Sequence, residues 1–182
     1  RICLVGSEMC IRDSIDACHR RLARDGVITI PGFLRPDAVS ALVTEAESQA
    51  QNAHFTSSTH NVYLTPTDPA LAGDHVFNRQ ITSSKGCITT DQVPAGSGLH
   101  LIHGSATFQN FIAAIVGVPA LFEYADPLSS INVHYAADGQ ELGWHFDNSS
   151  FAVTLLLQAP EAGGEFQYCL LYTSPSPRDR YG

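Results

Sequence analysis

Apolar residues return every three or four positions in parts of this chain, and the spacing predicts helices there. Val39, Leu42, Val43 and Ala46 make the plainest stripe, opened by Pro36, whose missing N–H costs nothing in a first helical turn. Phe108, Phe111, Ile112 and Ile115 form a second face, with Ser105 as N-cap and Gly117 and Pro119 as the stop. A shorter helix is expected from Ile15 to Asp25, carrying Arg20, Arg21 and Arg24 and closed by Gly26. The remaining apolar runs suit strands: Val27 to Ile30, Val76 to Thr82, Ile131 to Tyr135, the stretch through His145, and Glu165 to Tyr168 after a turn at Pro160 to Gly164. In Phe151 to Gln158, alternation sets Phe151, Val153, Leu155 and Leu157 against the smaller, more polar face of Ala152, Thr154, Leu156 and Gln158. Gln51 to about Asp74 is polar and turn-rich and reads as a long loop, a lid or rim over a site. Ser83-Ser84-Lys85-Gly86 reads as a turn. Helices early and antiparallel-looking strands late indicate an α+β fold with helices buttressing a sheet or barrel.

The two ends stand apart from this pattern. One codon choice for Cys169 to Asp179, reverse-complemented, encodes Leu-Val-Gly-Ser-Glu-Met-Cys-Ile-Arg-Asp, which is Leu4 to Asp13. Both peptides resemble translated transposase adapters from sequencing libraries, so residues 1–14 and 169–182 are expected to be non-native. Residues 15–168 are then the N-terminal part of a single domain, and the strand at Tyr168 is expected to be cut short.

Setting those ends aside changes the composition. The 10 basic and 18 acidic residues lose Arg1, Arg12, Arg178 and Arg180, and Glu8, Asp13 and Asp179, which leaves 6 basic and 15 acidic, net about −9 with neutral His. Such a body is a poor match to nucleic acid or an anionic membrane. Only Cys18 and Cys87 remain, too few for a disulfide framework or a zinc spacing, and a reducing, cytoplasmic setting is expected. No run of about 18 apolar residues suggests a membrane span.

His145-Phe146-Asp147 carries the chemistry. Residues i and i+2 of an extended segment project from one face, so an imidazole and a carboxylate can converge on one cation while Phe146 points into packing. Two His and one carboxylate leave positions open on the metal, which suits Fe(II) oxygenases. An isolated pair of this kind is common by chance, and its surroundings give it weight. Tyr135, then Gly139-Gln140, His145-x-Asp147, Thr154 to Leu157, and Gly163-Gly164-Glu165-Phe166 together resemble the Fe(II)/2-oxoglutarate-dependent oxygenases, in particular the prolyl-hydroxylase-like branch. Leu22 to Leu34 is similar to the N-terminal part of that family. Asp126 to Asn132 and Ser83 to Gly86 resemble the branch that oxidises free amino acids.

The resemblance implies an incomplete double-stranded β-helix, or jelly roll, behind N-terminal supporting helices. It also implies Fe(II) as cofactor, O2 and 2-oxoglutarate as cosubstrates, and a small-molecule substrate, with hydroxylation coupled to release of succinate and CO2. His145 and Asp147 become the metal ligands. Because related halogenases replace this carboxylate with Gly or Ala, Asp147 favours hydroxylation. Tyr135 would donate to a cosubstrate carboxylate, although it lies one residue farther from His145 than the pattern has it. The distal iron His and the basic partner of 2-oxoglutarate are expected beyond Tyr168, so the chain as it stands is expected to be inactive.

Other residues are weighed on their own chemistry. Arg79 could grip a cosubstrate or substrate carboxylate or could simply be solvated, and Lys85 is the weaker candidate of the two. Thr154 is a candidate cosubstrate contact, and Trp144 and Asn148 are candidate substrate contacts, with packing and turn-capping as their plainer roles. His134 is favoured as a packed, hydrogen-bonded ring over a replacement iron ligand, and His54, His60, His100 and His103 lack ligand spacing. Two other functions remain open: a non-catalytic jelly-roll module that binds a small ligand, and a cupin-like metal enzyme that does not use 2-oxoglutarate.

Overall fold

A computed structural model describes residues 8–124 and 126–168. Among them are four α-helices, α1 (Glu8–Asp25), α2 (Pro36–Gln49), α3 (Gly98–His103) and α4 (Ala106–Val116), and three strands, β1 (His54–His60), β2 (Ile81–Ile88) and β3 (Val133–Tyr135). The strands form one antiparallel sheet in the order β1-β2-β3, so the fold is mixed α+β. No helix among the described residues is long and apolar enough to cross a membrane. The described residues divide into two compact units, 8–48 with 89–132 and 49–88 with 133–168.

The first unit is helical. Its buried side chains include Leu42 of α2, Val93, and Ala113 and Ile115 of α4. Phe33 stacks on Phe111 at 5.7 Å between ring centroids and tilts against Phe108 at 6.0 Å. Ser105 caps α4 as expected, and Gly117 ends it in the left-handed conformation at φ +76°. His19 of α1 donates from Nδ1 to the Ile115 carbonyl at 2.8 Å, satisfying an acceptor in the last turn of α4. The ring also explains the glycine, since a Cβ on Gly117 would lie 2.9 Å from His19 Cε1. Helix α1 begins at Glu8, so regular helix runs through the expected boundary at residue 14. Helix α3, too short for a periodic signal, was not expected. Its N-cap Ser97 is fully buried, accepting from Leu99 N–H at 3.0 Å and donating to the Glu45 carboxylate.

The second unit departs most from the sequence expectations. Residues 54–60, expected within a loop, are β1, and Ser83 to Gly86, expected as a turn, lie inside β2. Both differences have one cause, because each strand is polar and becomes a strand only by pairing with the other. Ser58 faces Ser83, Ser57 faces Ser84 and Phe55 faces Gly86. Gly86 punctuates nothing: its missing side chain makes room for the Phe55 ring, 2.6 Å from where a Cβ would stand. Residues 76–80, expected to begin a strand, form turns and coil instead. Buried Asn78 organises that loop, accepting from Asp68 N–H at 2.8 Å and donating to the carbonyls of Asp68, Leu71 and Ala72. Residues 27–30, 151–158 and 165–168, expected as strands, belong to no ladder among the described residues. Without a neighbouring strand to cover it, neither face of the alternating stretch is buried: Val153 and Leu156 are both exposed.

Candidate metal half-site

Strand β2 is the platform for the site. Beyond β3, residues 137–140 form a turn in which Gly139 adopts φ +75° and Gln140 accepts the Ala137 N–H at 2.8 Å through its side chain. The returning chain lies against β2, where the Glu141 carbonyl accepts from Ser84 N–H and Gly143 N–H donates to Ser83 Oγ, each at 2.8 Å. The approach is so close that a Cβ at position 143 would sit 2.6 Å from the Thr82 carbonyl oxygen and 2.7 Å from Ile81 Cγ2. Phe146 anchors the next residues: its N–H donates to the Val62 carbonyl at 2.8 Å, and its ring stacks on buried Tyr63 at 5.4 Å. Phe146 therefore packs, as the alternation predicts, although residues 141–147 form no regular ladder.

Between these anchors His145 and Asp147 come together, with Nε2 and Oδ1 3.4 Å apart. The histidine is oriented by its other nitrogen, which lies 2.8 Å from the Gly143 carbonyl oxygen. A carbonyl can only accept, so Nδ1 carries a proton, and in the neutral ring the Nε2 lone pair is then the one turned towards Asp147. A 3.4 Å gap is longer than a good N–H···O bond. Two donors each about 2.1 Å from a shared ion stand roughly 3.0 to 3.4 Å apart, so the pair fits two adjacent positions on one metal. It also fits a loose imidazolium–carboxylate contact. Among the described residues no group of three or more His, Cys, Asp or Glu could hold a metal ion, so the pair offers two candidate ligands and no third.

The structure adds a neighbour that the sequence had set aside. The His60 ring stands edge-on to His145 with centroids 6.3 Å apart, brought there by the β1–β2 ladder. It is tied on both sides, with Nδ1 2.9 Å from the Asn61 carbonyl oxygen and Nε2 2.7 Å from Ser83 Oγ. The pairing of two polar strands was the signal for it, and no short spacing carries that.

The other candidates fall in three places. Arg79 and Trp144 line one open cavity of about 490 Å³ with Val62, Val76, Gln80 and Ile81. Tyr135 faces Gly86 across the ladder, on the side of the sheet that holds Phe55, whereas Ser83 and His60 belong to the opposite side. Burial, and secondarily Cys87, raises the Tyr135 pKa. Asn148 and Thr154 are exposed in the stretch outside the ladder. His134 lies across from Cys87 with its Nε2 3.5 Å from the Lys85 ammonium, so the ring is hydrogen-bonded as favoured from the sequence, but it is exposed rather than packed. Desolvation, then the Lys85 charge, lowers its pKa. Cys87 is pushed up by burial, with Lys85 acting against that. No family model, curated protein or solved structure matches the chain.

Proposed function

We propose that the chain is part of a non-heme iron, 2-oxoglutarate-dependent dioxygenase that hydroxylates a small molecule such as an amino acid. The complete domain would be a double-stranded β-helix, with the three-stranded sheet as one portion. The observation that carries this reading is the 3.4 Å pairing of His145 Nε2 with Asp147 Oδ1 while Nδ1 is committed to a backbone carbonyl. That is the state in which a histidine is ready to bind metal.

Fe(II), when bound, would supply the oxidising chemistry that consumes O2 and 2-oxoglutarate. The chain's own residues do the rest. His145 and Asp147 would give two ligands, the carboxylate lowering the ion's net charge, and the Gly143 carbonyl would hold the imidazole in the right tautomer. The cavity lined by Trp144, the residue before His145, has a mostly apolar lining with one guanidinium, that of Arg79. A wall of this kind suits an organic acid, its carboxylate on Arg79 and its carbon skeleton against Trp144 and Ile81. The other basic candidate, Lys85, is engaged with His134.

The same pair of side chains in a non-catalytic binding module would be a strand contact with no metal response, which makes the test direct. Anaerobic titration of the chain with Co(II), followed by NMR, should broaden His145 and Asp147 before other residues, and His145→Ala should abolish the response. A titration that leaves both residues unmoved removes the metal assignment. In a longer form supplying a third ligand, Fe(II)-dependent succinate formation should follow, lost in Asp147→Ala.

A further inference from the structure

Gly143 faces two opposed demands. Crowding by the Thr82 carbonyl and Ile81 excludes any side chain, yet glycine has the widest backbone freedom of any residue, and its carbonyl must aim at His145 Nδ1. Something else has to fix that peptide. Ser83 is placed to do so: its Oγ accepts the Gly143 N–H at 2.8 Å. The hydroxyl proton of Ser83 then needs an acceptor. His60 Nε2 lies 2.7 Å away, and because the ring's Nδ1–H is given to the Asn61 carbonyl, the neutral ring leaves that nitrogen as an acceptor. The order of donation is Ser83 O–H to His60, Gly143 N–H to Ser83, and His145 Nδ1–H to Gly143. Ser83 is 8% exposed, so little water competes for these bonds.

We infer that Ser83 and His60 are positioning residues for His145, a hydrogen-bonded couple of a buried serine and a half-buried histidine that fixes the Gly143 backbone and through it the tautomer and aim of the candidate metal ligand. His60 is not itself a ligand as placed, since both ring nitrogens are occupied. This rests on the proposed reading only for the metal. The hydrogen-bond chain exists without it.

The experiment therefore has two arms on the chain, one without metal and one with Co(II) alone. In metal-free, nitrogen-15-labelled protein, His145 should be almost wholly the Nδ1–H tautomer, and Ser83→Ala and His60→Leu should both give a mixture of tautomers. His60→Gln, whose amide oxygen can take the Ser83 hydroxyl, should restore most of the original state, a rescue that a merely structural role would not produce. With Co(II), Ser83→Ala and His60→Leu should bind about tenfold more weakly, the usual scale for losing a group that orients a ligand. Should Ser83→Ala fail to fold, the two His60 variants carry the comparison. An unchanged His145 tautomer in His60→Leu overturns the inference even if Co(II) binds normally. Tautomers that shift in protein binding no Co(II) support it and remove the metal reading instead.

Discussion

The helical unit and the sheet unit are built by different means. In the first, the buried side chains are mainly aliphatic, with Leu42, Val93, Ala113 and Ile115 among the least exposed, and the ring contacts of Phe33 with Phe108 and Phe111 added to them. In the second, Tyr63, Phe77 and Ile88 are buried alongside Asn61, Asn78 and Ser83, and those polar side chains hold loops and backbone by hydrogen bonds. Apolar packing is non-directional and tolerates small shifts, whereas a buried amide or hydroxyl fixes its partners' positions or loses its bonds. A scaffold can rely on the first. A pair of side chains that must meet at one point needs the second.

The largest effect that separates the two is expected from Ile115→Ala. Ile115 is 3% exposed in α4, and emptying its place should cost about 3 kcal/mol, read as a lower urea midpoint. Below the unfolding transition the Co(II) response should be unchanged, and a lost response there would mean that the site depends on apolar packing in the helices. Gly143→Ala comes next. Its new Cβ meets a backbone carbonyl, which cannot rotate away as a flexible side chain can, so the returning chain has to shift from β2. The expected cost is smaller, about 2 kcal/mol, but the Co(II) response should vanish. Equal responses in the two variants would erase the distinction between scaffold and site.

The same contrast explains what could be seen in the sequence. Helices α2 and α4 were legible because their signals are local: Pro36 at a first turn, Ser105 as a cap, Gly117 as a stop and apolar stripes of one period. His145 and Asp147 were legible for the same reason, lying two residues apart. Strand β1 was not, because its residues are polar and its partner begins some twenty residues later, so the pattern that identifies it belongs to both strands at once. In the sequence Ser83 belongs to a turn-like run and His60 has no ligand spacing, since only the ladder brings them to Gly143 and His145. Trp144 and Arg79 were separate suggestions in the sequence, and the loop around Asn78 puts them on one cavity.

The smallest expected effect is a pH dependence confined to the sheet unit. His134 has its pKa lowered in the fold, by desolvation and then by the neighbouring Lys85 charge. Above the unfolded value of about 6.5 the ring is neutral in both states and costs nothing. As pH falls through that value the unfolded chain takes up a proton that the folded chain resists, so stability should decline towards the depressed folded pKa and level off below it. Asp25 and Asp37, held down by Arg24 and Arg35, lose their contributions only at lower pH, beneath the ordinary carboxylate value of 3.8. Between pH 7.5 and 5.5 the β2–β3 amides should therefore lose hydrogen-exchange protection while α4 keeps its own. His134→Gln, which retains an acceptor for Lys85 but cannot titrate, should flatten the dependence. If that variant loses protection on acidification as steeply as the parent chain, the sensitivity arises elsewhere, and the polar sheet face is no more responsive to protons than the helices.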